Sequence, residues 1–220
     1  MPEKQRTRRL RKYEADPKCS ISAPSNETMQ LLSPFGPLIA KTKLPSELIE
    51  KINLFADQHI SETDSTEFML PEEIVFGGAP SLADIVGRLI NNYVKEAEGS
   101  QLDRAIYEVF WIVSQYQNTP SPVHFHSGDI SGVLFLKVPD EIDPSQEERN
   151  YISGRKAGYL NFIEGNKQRF SKSLLSVKPE VGDFYLFPGW LLHGAEPFIG
   201  EGERRSMAFN ATLKVKYTTT

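Results

Sequence analysis

The feature that most constrains this chain is a change of hydrophobic period near residue 105. Before it, apolar residues recur at intervals of three and four. Leu48, Ile49, Ile52, Phe55 and Ala56 form one stripe behind Pro45, and Leu82, Ile85, Val86, Leu89, Ile90, Tyr93, Val94 and Ala97 form another. That spacing gathers apolar side chains on one face of a helix. Ser81 with Asp84 reads as a capping-box start, and Gly99 stops the second helix. His59 falls near the end of the first helix, a structural position at the negative end of the helix dipole. From Ala105 the period becomes two. Tyr107 to Tyr116 reads as a long, mostly buried strand. Shorter runs follow at Ser131–Val138, Gly158–Ile163, Ser173–Lys178, Phe184–Phe187 and Ser206–Lys216. Pro34–Ala40 can enter an edge strand, and residues 61–80 read as loop, with a break at Gly77-Gly78-Ala79-Pro80. Two helices followed by seven or eight short strands predict a mainly β fold, a sandwich or barrel flanked by helices.

A chain of 220 residues is long enough to bury one substantial core. We expect a single domain over 34–220 with its strand core at about 105–217, preceded by a basic arm over 1–33. Lys4, Arg6, Arg8, Arg9, Arg11 and Lys12 crowd that arm, but no aromatic residues interleave them, so it reads as a solvated end. The net charge of −4 gives no general pull toward nucleic acid or an anionic membrane. Cys19 is the sole cysteine, so no internal disulfide can form, and a reducing compartment fits. The basic start lacks the apolar core of a signal peptide, and no run of about 18 apolar residues is present to span a bilayer. These traits lead us to expect a soluble cytoplasmic protein; a homodimer is left open. Asp140 to Gly154 is an acidic excursion between strands. Neither a glycine-rich phosphate loop nor a Gly-x-Ser-x-Gly elbow occurs.

The chain has four histidines, and three of them lie in two segments, Val123–Asp129 and Gly182–His193. His124 and His126 are two apart, so on a strand they share a face. With His193 they make three facial nitrogen donors, the commonest side-chain ligand type for metals. A His-x-His pair alone is a weak signal, since exposed pairs often meet only water. Arg204 strengthens it: it follows His193 by a short return with two glycines, Pro197 to Glu203. Arg204 and Ser206 share a face, and a guanidinium beside a hydroxyl suits a carboxylate. Arg205 faces the other way and reads as a surface ion pair. Phe125, Tyr159, Phe162, Tyr185 and Phe187 read as core, and Trp190 as either a substrate-facing residue or a turn anchor.

The order Tyr116, His124-Phe125-His126, Ser131-Gly132-Val133-Leu134-Phe135-Leu136, Gly158-x-Leu160-x-Phe162, Gly182-Asp183-x-x-x-Phe187-Pro188, His193, Arg204-x-Ser206, Phe209-Asn210 resembles the 2-oxoglutarate- and Fe(II)-dependent oxygenase superfamily. The resemblance covers residues 105 to 215. It is nearest to a small branch from phages and marine bacteria and more remote from prolyl hydroxylases. It implies a double-stranded β-helix, the jelly-roll barrel shared with cupins. It further implies Fe(II), O2 and the co-substrate 2-oxoglutarate, which is decarboxylated to succinate as a substrate C–H bond is hydroxylated. His124 and His193 would be iron ligands. Arg204 would hold the distal carboxylate, with Ser206 and Tyr116 assisting. The superfamily's usual pair is His-x-Asp or His-x-Glu, whereas this chain has His126 at that position. Three readings stay open: His126 is itself the ligand, Asp129 supplies a carboxylate from a bulge at Gly128, or the position is left open as in halogenating relatives. A site of three histidines also resembles a zinc site, which keeps open a cupin-like metal-binding module without oxygenase activity.

Overall fold

The structure, a computed structural model, describes residues 30–32, 36–140, 142, 156–165, 169 and 172–216. Residues 1–29 of the expected arm, Cys19 among them, and most of the acidic stretch after Asp140 lie outside these residues, as do Pro34 and Phe35, whereas Gln30–Leu32, counted with the arm from sequence, form a strand paired to the next one. Strand β1 (Gln30–Leu32) and strand β2 (Ile39–Lys43) come first, followed by helix α1 (Ser46–Thr63). Pro45 caps α1 in an extended conformation, which its ring favours, and the helix buries Ile49, Ile52 and Ala56. It runs one turn past His59, whose ring lies 4.2 Å from that of Phe68. Strand β3 (Glu67–Met69) and helix α2 (Glu72–Val75) fall in the stretch expected to be loop. Both are too short to show a period, and β3 exists because it finds a partner, Phe68 opposite Ile112.

Helix α3 (Leu82–Glu98) follows the expected bounds. Asp84 N–H donates to Ser81 Oγ at 3.1 Å, and Ser81 N–H donates to Asp84 Oδ2 at 2.9 Å. This capping box satisfies backbone donors that the first turn leaves free. Gly99 ends the helix with a left-handed φ of 69°. Strand β4 (Gln101–Gln115) begins four residues before the change of period. Its start is set by pairing, since Gln101 lies opposite Lys216 at the end of the last strand.

The remaining strands are β5 (Ser121–His124), β6 (Ile130–Lys137), β7 (Leu160–Ile163), β8 (Leu174–Val177), β9 (Asp183–Pro188), β10 (Leu192–Ala195) and β11 (Arg204–Lys216). Among the described residues all pairings are antiparallel. A seven-stranded sheet runs β1-β2-β9-β6-β11-β4-β3, and a four-stranded sheet runs β5-β10-β7-β8. From β5 to β11 the chain crosses between the sheets at every step except the β7–β8 hairpin, which is the winding of a double-stranded β-helix.

Strand alternation divides the large sheet into two faces. One face, with Phe184, Leu186, Leu134, Met207, Phe209, Phe110 and Ile112, packs against α1 and α3. The other, with Tyr185, Phe187 and Phe135, meets Leu160, Phe162 and Leu191 of the small sheet's side of the barrel. Each such large apolar side chain, fully buried, contributes about 1.5–3 kcal/mol. The barrel interior also receives Asp183, with the ammonium groups of Lys41 and Lys43 at 2.8 and 3.1 Å. Arg205 lies on the helix side, buried rather than on the surface as expected. It donates to Asp57 Oδ1 at 2.8 Å and Glu203 Oε1 at 2.7 Å, and so ties α1 to the sheet. Among the described residues no helix is long and apolar enough to cross a membrane.

Candidate metal centre

His124 ends β5, and His193 stands directly opposite it on β10. Directly paired residues in an antiparallel ladder point to the same side, so the two imidazoles meet there. His126 lies past the end of β5, in the turn toward β6. Its N–H donates to Gly189 O at 2.8 Å, while Gly189 N–H donates to Asp129 O at 3.1 Å. These two bonds lock the histidine turn to the Pro-Gly turn before β10. The approach is close: a Cβ on Gly189 would lie 2.0 Å from Gly128 O, so only glycine fits. The ring centroids are 4.4 Å apart for His124–His193, 4.9 Å for His124–His126 and 5.1 Å for His126–His193. Their ligand atoms all lie within 4.8 Å of one another.

Two of the rings are oriented by the same device. His124 Nδ1 lies 2.6 Å from Pro122 O, and His193 Nδ1 lies 2.9 Å from Leu191 O. Each ring donates its Nδ1–H to the carbonyl two residues back, which leaves Nε2 with a free lone pair. A metal-binding histidine is normally held in this way. Burial, followed by repulsion from His124, lowers the His126 pKa to about 4. Burial likewise lowers that of His193 to about 4, although its bond to Leu191 O opposes the shift. Both rings are thus neutral near pH 7, the form a metal requires. The ring centroids of Trp111 and His126 are 5.7 Å apart and those of Phe187 and His193 4.7 Å, both pairs edge to face, so aromatic walls flank the donors.

Asp129 is not part of this group; its carboxylate accepts Leu213 N–H at 2.7 Å, tying the turn to β11. Gly128 and Asp129 fall just before β6 and form no bulge within it. The donor set brought together is therefore three imidazoles, which fit a divalent transition ion.

Arg204 opens β11, is 2% exposed, and faces the barrel interior as Ser206 does. Burial lowers its pKa to about 10, with Glu196 acting in the opposite direction, so it remains a cation. It donates from Nη1 to Gly158 O at 2.9 Å and to Glu196 O at 2.8 Å, bridging to the small sheet. Its Nε and Nη2 both donate to Gln115 Oε1, at 3.2 and 2.7 Å. Tyr116 lies just past β4 and is 46% exposed; Gln115, its neighbour, is what reaches Arg204. Phe125 and Trp190 are exposed rather than core, Phe125 between His124 and His126 in sequence and Trp190 three residues before His193. Gln115 was not legible as a site residue, nor were Asn161 and Glu196, joined by a 2.9 Å bond from Asn161 Nδ2 to Glu196 Oε1. Their roles depend on strand register, which the sequence does not state.

The fold and the site together define a barrel with three converging histidines, a candidate metal centre, at one level and a buried cation further along. The family model described as "Putative 2OG-Fe(II) oxygenase" matches residues 109–210, from β4 to β11, which include the three histidines and Arg204. Over that segment the chain is similar to the 2-oxoglutarate/Fe(II) oxygenases. Solved structures share the fold at low identity. A Pseudomonas putida prolyl-4-hydroxylase superposes with a TM-score of 0.52 at 14% identity, over 80% of this chain and 88% of that one. Iron-bound HygX from Streptomyces hygroscopicus gives 0.53 at 11% identity, over 81% and 82%. AviO1 from Streptomyces viridochromogenes gives 0.51 at 12% identity, over 79% and 89%. No curated protein matches the chain by sequence.

Proposed function

We propose that this enzyme is a hydroxylase in which His124, His126 and His193 hold Fe(II), while Arg204, assisted by Ser206, receives the distal carboxylate of 2-oxoglutarate. When bound, the ferrous ion is where O2 is reduced as 2-oxoglutarate loses CO2; one oxygen atom ends in succinate and the other in the oxidised C–H bond. The chain's own contribution is placement. The carbonyls of Pro122 and Leu191 fix the tautomers of two rings, so Nε2 faces the ion without reorganisation. Trp111 and Phe187 limit water at the donors. Arg204 holds Glu196 O, three residues beyond His193, so the clamp lies about 10 Å along the strand from the metal level. That suits a five-carbon dicarboxylate anchored at both ends. Crystal structures of HygX hold iron in one case and nickel with 2-oxoglutarate in another, which supports the same ligands here.

The observation that carries this reading is the cross-strand pair His124–His193 with His126 folded against it. Succinate release from 2-oxoglutarate by the Fe(II)-loaded protein tests it. Arg204→Ala should raise the KM for 2-oxoglutarate on the order of thirtyfold, because truncating one side of a buried charged pair costs about 2–5 kcal/mol. Arg205→Ala should lower the Tm and leave that KM within about twofold, since its cation braces Asp57 and Glu203 on the other face. A protein that binds zinc and never releases succinate would instead be a metal-binding jelly roll.

A further inference from the structure

The guanidinium of Arg204 is already occupied. A guanidinium has five N–H donors. Among the described residues, two N–H groups on Nη1 go to the carbonyls of Gly158 and Glu196, and one each on Nε and Nη2 go to Gln115 Oε1. A carboxylate pairs with arginine through two parallel bonds along one edge of the plane. The edges that include Nη1 are held by backbone carbonyls at the ends of the small sheet, which cannot leave without unpicking it. The remaining edge, Nε with Nη2, is held by a side chain. Gln115 stands directly opposite Arg204 in the β4–β11 ladder and is 6% exposed. Its amide rotates about side-chain bonds, so it can withdraw while the strand stays in place.

We propose that Gln115 is a place-holder for the co-substrate's distal carboxylate and that it sets the affinity for 2-oxoglutarate. This rests on Arg204 being the carboxylate clamp. Before the co-substrate binds, the amide oxygen satisfies a buried cation that would otherwise be left with unmet donors, and it keeps the guanidinium plane aimed into the barrel. An arriving carboxylate supplies two anionic oxygens where Gln115 supplies one neutral oxygen. Hydrogen bonds to an ionised acceptor are roughly twice as strong, so the exchange runs toward the ligand. Affinity is then the difference between the bonds formed and the Gln115 bonds released.

The test is titration of the full chain, loaded with Mn(II) so that no turnover occurs, with 2-oxoglutarate in a calorimeter, alongside the Tm of the metal-free protein. Gln115→Ala removes the competitor: the Tm should fall and 2-oxoglutarate should bind roughly tenfold tighter. Gln115→Glu places a permanent carboxylate on Arg204: the Tm should hold or rise and 2-oxoglutarate binding should weaken by more than about tenfold. A residue that merely supports the fold would give a lower Tm together with weaker binding in Gln115→Ala. That result, or parent-like affinity in Gln115→Glu, overturns the proposal. Should Gln115→Ala not fold, Gln115→Glu alone decides. If the parent itself does not bind 2-oxoglutarate, the reading of Arg204 has failed and this one falls with it. Binding by the parent without the two opposite shifts removes only the role of Gln115.

Discussion

At the residue scale, the chemistry is set by which nitrogen of each imidazole is committed. His124 and His193 have given Nδ1–H to the backbone, so Nε2 is the donor left in each. Their neutrality has a thermodynamic consequence. His126 and His193 have folded-state pKa values lowered from 6.5 to about 4, first by burial and then by neighbouring histidines. Between those values the unfolded chain binds protons that the folded chain does not, so acid favours unfolding. The metal-free protein should therefore hold this contribution above about pH 6.5 and lose it progressively as the pH falls toward 4. His193→Asn should flatten the slope of Tm against pH in that window; an unchanged slope would show that His193 is solvated and titrates normally. His124, His126 and Arg204 could be picked out from their two-residue spacings, because strand alternation is local. Gln115 could not. Its partner Arg204 lies on another strand, and only the ladder register brings the two together.

At the element scale, the site depends on two turns that lock together. His126 N–H to Gly189 O and Gly189 N–H to Asp129 O hold the end of β5 against the start of β10. Gly189 permits this because no side chain fits between its Cα and Gly128 O. Gly189→Ala should cost on the order of 2–4 kcal/mol. Its effect on metal content should be larger still, because the turn can relieve the clash only by moving His126 away from its partners. Elemental analysis of the folded variant checks this, and parent-like metal content would show that His126 is held by something else. Helix α3 was legible to its ends because Ser81, Asp84 and Gly99 act within one turn. Strand β3 and helix α2 were not, because elements of three and four residues are stabilised by neighbours rather than by their own pattern.

At the scale of the whole molecule, the barrel is a device for bringing distant segments to one point. Antiparallel winding puts β10 between β5 and β7, so a histidine near the end of the chain lies opposite one from its middle. The helices α1 and α3 cover the large sheet's outer face, and that burial lets the inner face carry Arg204 and Asp183, while the small sheet carries His124 and His193. The sequence implied helices followed by a β barrel through its change of period, while the strand order became legible only through the family resemblance. In the proposed centre three imidazoles, and no carboxylate of the chain, close on one ion. X-ray absorption at the metal edge of the iron-loaded protein, compared with His126→Ala and His126→Asp, tests it most directly. The parent should show three imidazoles at about 2.0–2.2 Å. His126→Ala should lose most of its iron, and His126→Asp should keep iron with one imidazole replaced by an oxygen donor. A parent spectrum with two imidazoles and a protein carboxylate, or full iron content in His126→Ala, would contradict the account.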